Sequence, residues 1–252
     1  MHALSFNPDG TLLAIAAGTP AVTGELRVFN LADGQIVADL VRSDDVVLGV
    51  AFSPDGTRLA ACGADRAIRL YAVDTWAEQV TIEDHADWVL DIAWTPDGNR
   101  LLSASRDKTS KVFDAATGDA LATFNGHGEV VYAVASLPDS AHAVTVGANK
   151  TAHVWQIADA KEVRKLGGAG DELLGVKVGA NGAIYTAGAD QHARRYEPGT
   201  ATLQQDYAGH GDWVTSIALN PAADQLVTGS QDGMVRIWDS AGMLIREWPV
   251  QP

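Results

Sequence analysis

A single cysteine, Cys62, stands in this chain of 252 residues. One thiol can form neither an internal disulfide nor a multi-thiolate metal site. Positive charge is also thin, with 18 Lys and Arg against 32 Asp and Glu and a formal net charge of −14. Nucleic acids and anionic membrane surfaces are held by Lys and Arg that neutralise phosphate, so this balance argues against both. Long apolar runs are missing: LLAIAA at residues 12–17 is typical, far short of the roughly 18 residues that span a bilayer. No charged start followed by an apolar core marks a signal peptide, which leaves the compartment open. The sequence holds no Cys-x-x-Cys-His haem attachment and no Gly-x-Ser-x-Gly nucleophile elbow. Its glycine-rich stretch, Gly167-Gly168-Ala169-Gly170, lacks the Lys-Ser/Thr and the helix of a phosphate cradle and reads as a turn. What remains, 46% hydrophobic and 20% charged residues, is the composition of a soluble globular chain long enough for a sizeable core.

What the chain does have is repetition. A turn motif recurs as NPDG at Asn7, SPDG at Ser53, TPDG at Thr95, LPDS at Leu137, GANG at Gly179 and NPAA at Asn220. An aromatic recurs at Phe29, Tyr71, Phe113, Trp155, Tyr196 and Trp238, with spacings of 42, 42, 42, 41 and 42. Six such units fill the sequence, at about 1–42, 43–84, 85–126, 127–168, 169–209 and 210–252, leaving no linker or second domain. The third unit shows four short strands: WVLDIAW (88–94), RLLSASR (100–106), SKVFD (110–114) and ALATF (120–124). Gly, Asn and Asp between β-branched and aromatic runs are hairpin punctuation. A four-stranded sheet that is apolar on both faces cannot bury itself alone, whereas radial stacking of such sheets covers both faces. The expectation is an all-β, six-bladed propeller of four-stranded antiparallel blades.

Gly126-His127 and Gly209-His210, the tight-turn Asp of each unit and Trp238-Asp239 resemble WD40 repeats across all six units. The resemblance implies a buried hydrogen-bonded set in which an imidazole meets the turn carboxylate, and an indole N–H and a hydroxyl complete the network. The sixth unit is nearest to that pattern, with His210, Asp232, Trp238 and either Ser230 or Thr228. The third has His85 and Asp107 but Phe113 for the Trp; the fourth has His127 and Trp155 with Asn149 for the Asp. The second and fifth lack the His, with Asp44 and Gly168-Ala169-Gly170 near its place. The family usually shares one blade between the two chain ends; here six self-contained blades are implied, closed by side-chain packing, or else part of a larger propeller lies upstream.

Histidines at one repeat position fall on different blades, which makes His85, His127 and His210 structural bridges rather than metal ligands. His2, His142, His153 and His192 share no spacing that converges on a metal, so no metal and no cofactor is expected. One pattern points outward. An acid recurs at Asp45, Asp87, Glu129, Asp171 and Asp212, and three residues further on stand Leu48, Leu90, Tyr132, Leu174 and Thr215, with His2 in the first unit. The resemblance places both sets on the top face, at the mouth of the central channel. An apolar mouth inside an acidic collar, with Trp88 and Trp213 beside two acids, suits a Lys or Arg flanked by apolar groups. The same acids can also simply cap turn amides. In the first unit, four extra residues between the second and third strands, within Gly18–Gly24, suggest a projecting top-face loop, either binding apparatus or tolerated lengthening.

The leading expectation is therefore a non-catalytic scaffold that presents its top face to a protein or a basic peptide. A narrower one comes from ADWVLDIAW, SASRDKT, TGDALATFNGHGE, KEVRKLGG and AGTPAVTGELRVF, which are similar to bacterial WD40 domains fused to c-type cytochrome modules. That resemblance implies the partner-binding half of an exported, periplasmic redox protein, itself without haem. An enzyme is the third reading, and no catalytic constellation supports it.

Overall fold

The computed structural model describes residues 2–43, 45–220 and 224–250, the side chains of 41–43 excepted; Asp44 and residues 221–223 of the NPAA turn lie outside the described set. Among the described residues the chain is all β, arranged as six four-stranded antiparallel sheets, each in simple chain order. The first blade is β1 (Ala3–Phe6), β2 (Leu12–Thr19), β3 (Thr23–Asn30) and β4 (Ile36–Ser43). The second is β5 (Val47–Phe52), β6 (Arg58–Gly63), β7 (Ile68–Ala72) and β8 (Glu78–Ile82). The third is β9 (Val89–Trp94), β10 (Arg100–Ser105), β11 (Ser110–Asp114) and β12 (Ala120–Phe124), within one residue of the sequence reading at every end. The fourth is β13 (Val131–Ser136), β14 (His142–Gly147), β15 (Ala152–Gln156) and β16 (Glu162–Leu166). The fifth is β17 (Leu173–Val178), β18 (Ile184–Gly188), β19 (Ala193–Tyr196) and β20 (Leu203–Tyr207). The sixth is β21 (Val214–Asn220), β22 (Gln225–Ser230), β23 (Met234–Asp239) and β24 (Leu244–Pro249). The blades fall into two compact units, Met1–Asn125 and Gly126–Pro252, divided at a repeat boundary.

Turn chemistry sets the strand ends. In the third blade Asp97 accepts hydrogen bonds from the Thr95 hydroxyl (2.6 Å) and the Asn99 amide (3.0 Å), while Gly98 takes φ +70°. That left-handed position is one that glycine occupies without steric cost. The tight turn between the second and third strands recurs with positive φ at Arg66, Lys108, Lys150, Gln191 and Gly233. Only the last of these is a glycine.

In the first unit, Ala14, Leu26 and Val28 of the first blade pack against Val50 and Phe52 of the second. Ile68 and Leu70 of the second pack in turn against Ile92 and Trp94 of the third. The second unit repeats the scheme, with Val144, Val154 and Leu166 against Leu173 and Val176, and Ala187 and Tyr207 against Val214 and Ile217. Each sheet thus hides an apolar face it could not bury alone, which is the main stabilising term. The outer strand of the sixth blade departs from this rule. Trp248 is 41% exposed, whereas Ile82, Phe124, Leu166 and Tyr207, in the same register of their blades, are 6, 3, 1 and 1% exposed.

In the first repeat the insertion takes the form of a longer β2–β3 hairpin whose tip, residues 19–23, is exposed. Its extra residues lengthen the hairpin, continuing the ladder through Ala17↔Glu25, Gly18↔Gly24 and Thr19↔Thr23. Only residues 20–22 remain outside the ladder. A Cβ on Gly18 would lie 2.2 Å from the Thr23 carbonyl oxygen, so that close crossing needs glycine.

Candidate functional site

In five blades the ladder between the first two strands omits one residue. Val47 pairs with Gly63 and Gly49 with Cys62, which leaves Leu48 out. The same break leaves out Leu90, Tyr132, Leu174 and Thr215. A β-bulge turns its unpaired residue off the ladder and is common at rims and beside binding sites. Four of these side chains are half-buried and Thr215 is exposed. Between the first two strands of the first blade there is no such break among the described residues: β1 pairs continuously from Ala3↔Ala16, and His2 donates its amide to the Ala16 carbonyl at 2.9 Å. The Tyr132 hydroxyl donates to Glu172 at 2.9 Å; burial first, then the Glu172 carboxylate, pushes the phenol up to about 12, so it stays a neutral donor.

Four of the five recurring acids make the same contact, accepting a hydrogen bond from the next residue's own amide. Asp45 takes it from Val46 (2.8 Å), Asp87 from Trp88 (2.8 Å), Asp171 from Glu172 (3.0 Å) and Asp212 from Trp213 (2.8 Å). Turn capping therefore accounts for one oxygen in each. The further contacts of each carboxylate differ. Asp45 also accepts from the Ala21 amide (2.9 Å), and Asp171 pairs with Lys150 (3.0 Å), which holds its carboxyl below the usual range. Asp87 has Arg106 at 3.6 Å. Glu129 is exposed.

The two tryptophans part company. Trp88 is half-buried beneath its own chain's Arg106, whose guanidinium lies 5.0 Å from the ring centroid. Trp213 is 44% exposed. The sequence reading treated the two tryptophans alike, each beside its acid; the structure covers Trp88 with Arg106, and leaves Trp213, with Gln231 at the matching place, more open.

Beneath these loops lie the buried networks. His85 joins Asp107 (2.7 Å) to Ser103 (2.6 Å). His210 joins Asp232 (2.9 Å) to Thr228 (2.8 Å), and Trp238 donates its indole N–H to the same hydroxyl (2.8 Å). Thr228, not Ser230, is thus the bridging hydroxyl; Ser230 accepts the Asp232 amide and donates to the Asp212 carbonyl. In the fourth blade His127 spans Asn149 (3.0 Å) and Thr145 (2.8 Å), and Trp155 donates to Thr145 (3.2 Å). Burial opposes ionisation of Asp107, yet hydrogen bonds from His85 and Thr109 hold its carboxyl well below the carboxylate range. Asp232 behaves alike through the Gly211 amide, His210, Met234 and Arg236, again against the cost of burial. With Asn149 in place of a carboxylate, burial and the neighbouring His153 drive His127 down to about 4. Among the described residues, no group of three or more His, Cys, Asp or Glu is placed to hold a metal ion.

A second periodic set is absent from the sequence reading. Arg27, Arg69, Lys111, His153, Arg194 and Arg236 recur at spacings of 42, 42, 42, 41 and 42 on the third strand of each blade. Each meets a carboxylate: Glu25 (3.2 Å), Asp65 (2.7 Å), Asp84 (2.6 Å), Glu162 (2.6 Å), Asp190 (2.7 Å) and Asp232 (2.9 Å) respectively. The signal was as regular as that of the acids, and part of the acidic charge is spent here. In the fifth blade, where Ala169 replaces the His, Arg194 takes over by holding Asp190 with two nitrogens, at 3.1 and 2.7 Å. The Tyr196 hydroxyl there reaches the Gly167 carbonyl (2.9 Å).

Comparison with known proteins agrees with this anatomy. The family model "WD domain, G-beta repeat" matches residues 34–72, 76–114, 118–156 and 201–239, more than half of the chain. Each match runs from the outer strand of one blade to the third strand of the next, and none covers the segment carrying Ala169. THO complex subunit 6 of Arabidopsis thaliana is 32% identical over 59 residues, which is 23% of this chain and 16% of that protein. The Intraflagellar transport protein 122 homolog of Mus musculus is 37% identical over 71 residues, 28% of this chain and 6% of the relative. Protein transport protein SEC13 of Chaetomium thermophilum is 36% identical over 74 residues, 26% and 24% respectively. The matched stretches thus span less than a quarter of these relatives' own lengths. Repeated blades, His–carboxylate bridges and a matching family model lead to one conclusion: the chain belongs to the WD40 repeat family.

Proposed function

We propose that this protein is a non-catalytic interaction scaffold that holds a partner protein, or a basic peptide segment of one, through the bulged residues of each compact unit and their neighbouring acids. The observation that carries the reading is the bulge itself. Leu48, Leu90, Tyr132, Leu174 and Thr215 all fall at the one break in their ladders. An irregularity kept at one register of five blades re-aims one side chain per blade, and the ladder gains nothing from it. The relatives are components whose names place them in a complex or in transport, in keeping with an interaction role. The acidic surface favours a partner that brings positive charge. The narrower reading, in which that partner is a c-type cytochrome module, rests on the sequence strings alone, and a parent reading frame without Cys-x-x-Cys-His contradicts it.

Leu90→Glu and Leu174→Glu, one in each compact unit, test the scaffold reading. Both should lower partner capture from the producing cell's extract at least about ten-fold while leaving the far-UV spectrum and melting temperature close to wild type. Capture at wild-type level by both variants contradicts the reading.

A further inference from the structure

We infer that Asp212 and Trp213 form a subsite for an arginine side chain presented by the partner, and that the third blade of the same molecule shows the bound arrangement. This deepens the scaffold reading and rests on it.

The third and sixth blades build one backbone frame. Trp88 and Trp213 each donate their amide to the preceding Asp at 2.8 Å. The carbonyls of both tryptophans accept the amide of the residue that follows the second strand, Arg106 or Gln231, at 2.9 Å. The Ala86 and Gly211 amides reach the turn carboxylates, Asp107 at 3.0 Å and Asp232 at 2.9 Å. Within this shared frame the residue beside the tryptophan differs. Arg106 lies over the Trp88 ring, 5.0 Å from its centroid, with its Nε 3.6 Å from Asp87. Gln231 carries no charge to place there, and Trp213 is left 44% exposed beside a carboxylate that no cation meets among the described residues.

A guanidinium fits what is left open. It offers a planar face to the ring and positive charge to the acid, the two contacts that Arg106 already makes. An ammonium has the charge without the stacking plane, so arginine should be preferred over lysine. Bulged Thr215, two residues after Trp213, is exposed as well. A neighbouring segment of the partner that reaches the bulged residues would carry the arginine to this edge.

The test follows the Trp213 indole N–H by nitrogen–proton correlation NMR of the full chain, assigned with Trp213→Phe. The probe is the peptide acetyl-Leu-Arg-Leu-amide, with acetyl-Leu-citrulline-Leu-amide as its neutral isostere. The arginine peptide should move the Trp213 resonance saturably and the citrulline peptide should not. Asp212→Asn should weaken the arginine peptide about three-fold or more, in keeping with an exposed charge contact. Gln231→Arg should abolish the response by supplying the cation internally, as in the third blade. An unmoved Trp213, an equal response to citrulline, or a response that survives Gln231→Arg each overturns the subsite. The Leu90→Glu and Leu174→Glu captures are read separately, so loss of the subsite leaves the scaffold reading standing and loss of capture does not depend on Trp213.

Discussion

His127 shows how one substitution changes the chemistry of a conserved-looking frame. Where His85 and His210 face carboxylates, His127 faces the neutral amide of Asn149, and its ring lies 4.2 Å from that of His153. Burial and His153 lower its pKa to about 4, below the unfolded value. The unfolded chain then binds a proton between roughly pH 6.5 and 4 that the folded chain refuses, so stability is complete above that window and falls as pH drops through it. The loss should be on the order of 2–3 kcal/mol at most, from the linkage relation. His153, lowered by burial against the pull of Glu162, acts in the same direction. Urea unfolding at pH 7 and pH 4.5 should show the difference, and His127→Phe, less stable at pH 7, should show a shallower slope. An unchanged slope in that variant would place the proton uptake elsewhere. Asp107 and Asp232 have depressed values, so their contributions persist through this window and are lost only in stronger acid.

At the scale of the blade, the fifth is the natural experiment. Thr186 is fully buried at the position where Ser103, Thr145 and Thr228 meet an imidazole, but Ala169 offers none. The sixth blade shows that an imidazole, a backbone amide and an arginine can share one turn carboxylate. Ala169→His should therefore complete the fifth network and raise stability by about 0.5–1.5 kcal/mol, the net value of a buried hydrogen bond. A denaturant midpoint shifted upward at constant slope is the expected result; a downward shift would mean that the ring does not fit beneath Tyr196. Much of this element-level structure could be read directly from the repeats. The third blade's strands and turns follow from Pro96-Asp97-Gly98 and the alternating runs around it, and the resemblance to WD40 repeats implied the His–Asp bridges. The bulges could not be read, because a bulge is a backbone offset with no residue of its own: Leu90 and Leu174 look like any strand leucine. The hairpin formed by the first-blade insertion could not be read for a related reason, since the pairing of residues 17–19 with 23–25 is likewise a matter of backbone register. The Arg106 cap over Trp88 joins residues 18 apart, a tertiary contact that spacing alone does not show.

For the molecule as a whole, two features compete for the role of partner site. One is the bulged residues of each unit with their acids; the other is the apolar outer strand of the sixth blade, where Leu244, Ile245 and Trp248 are exposed. The net charge of −14 bears on both, and its organised part is divided between carboxylates that hold the third-strand cations and carboxylates that cap the loops. The most direct discrimination is photocrosslinking in the producing cell, with p-benzoylphenylalanine placed singly at Leu90, Leu174 or Trp248. The scaffold reading expects one and the same adduct from Leu90 and from Leu174, weakened by added salt, and little from Trp248. Adducts at Trp248 with none at either leucine would contradict it.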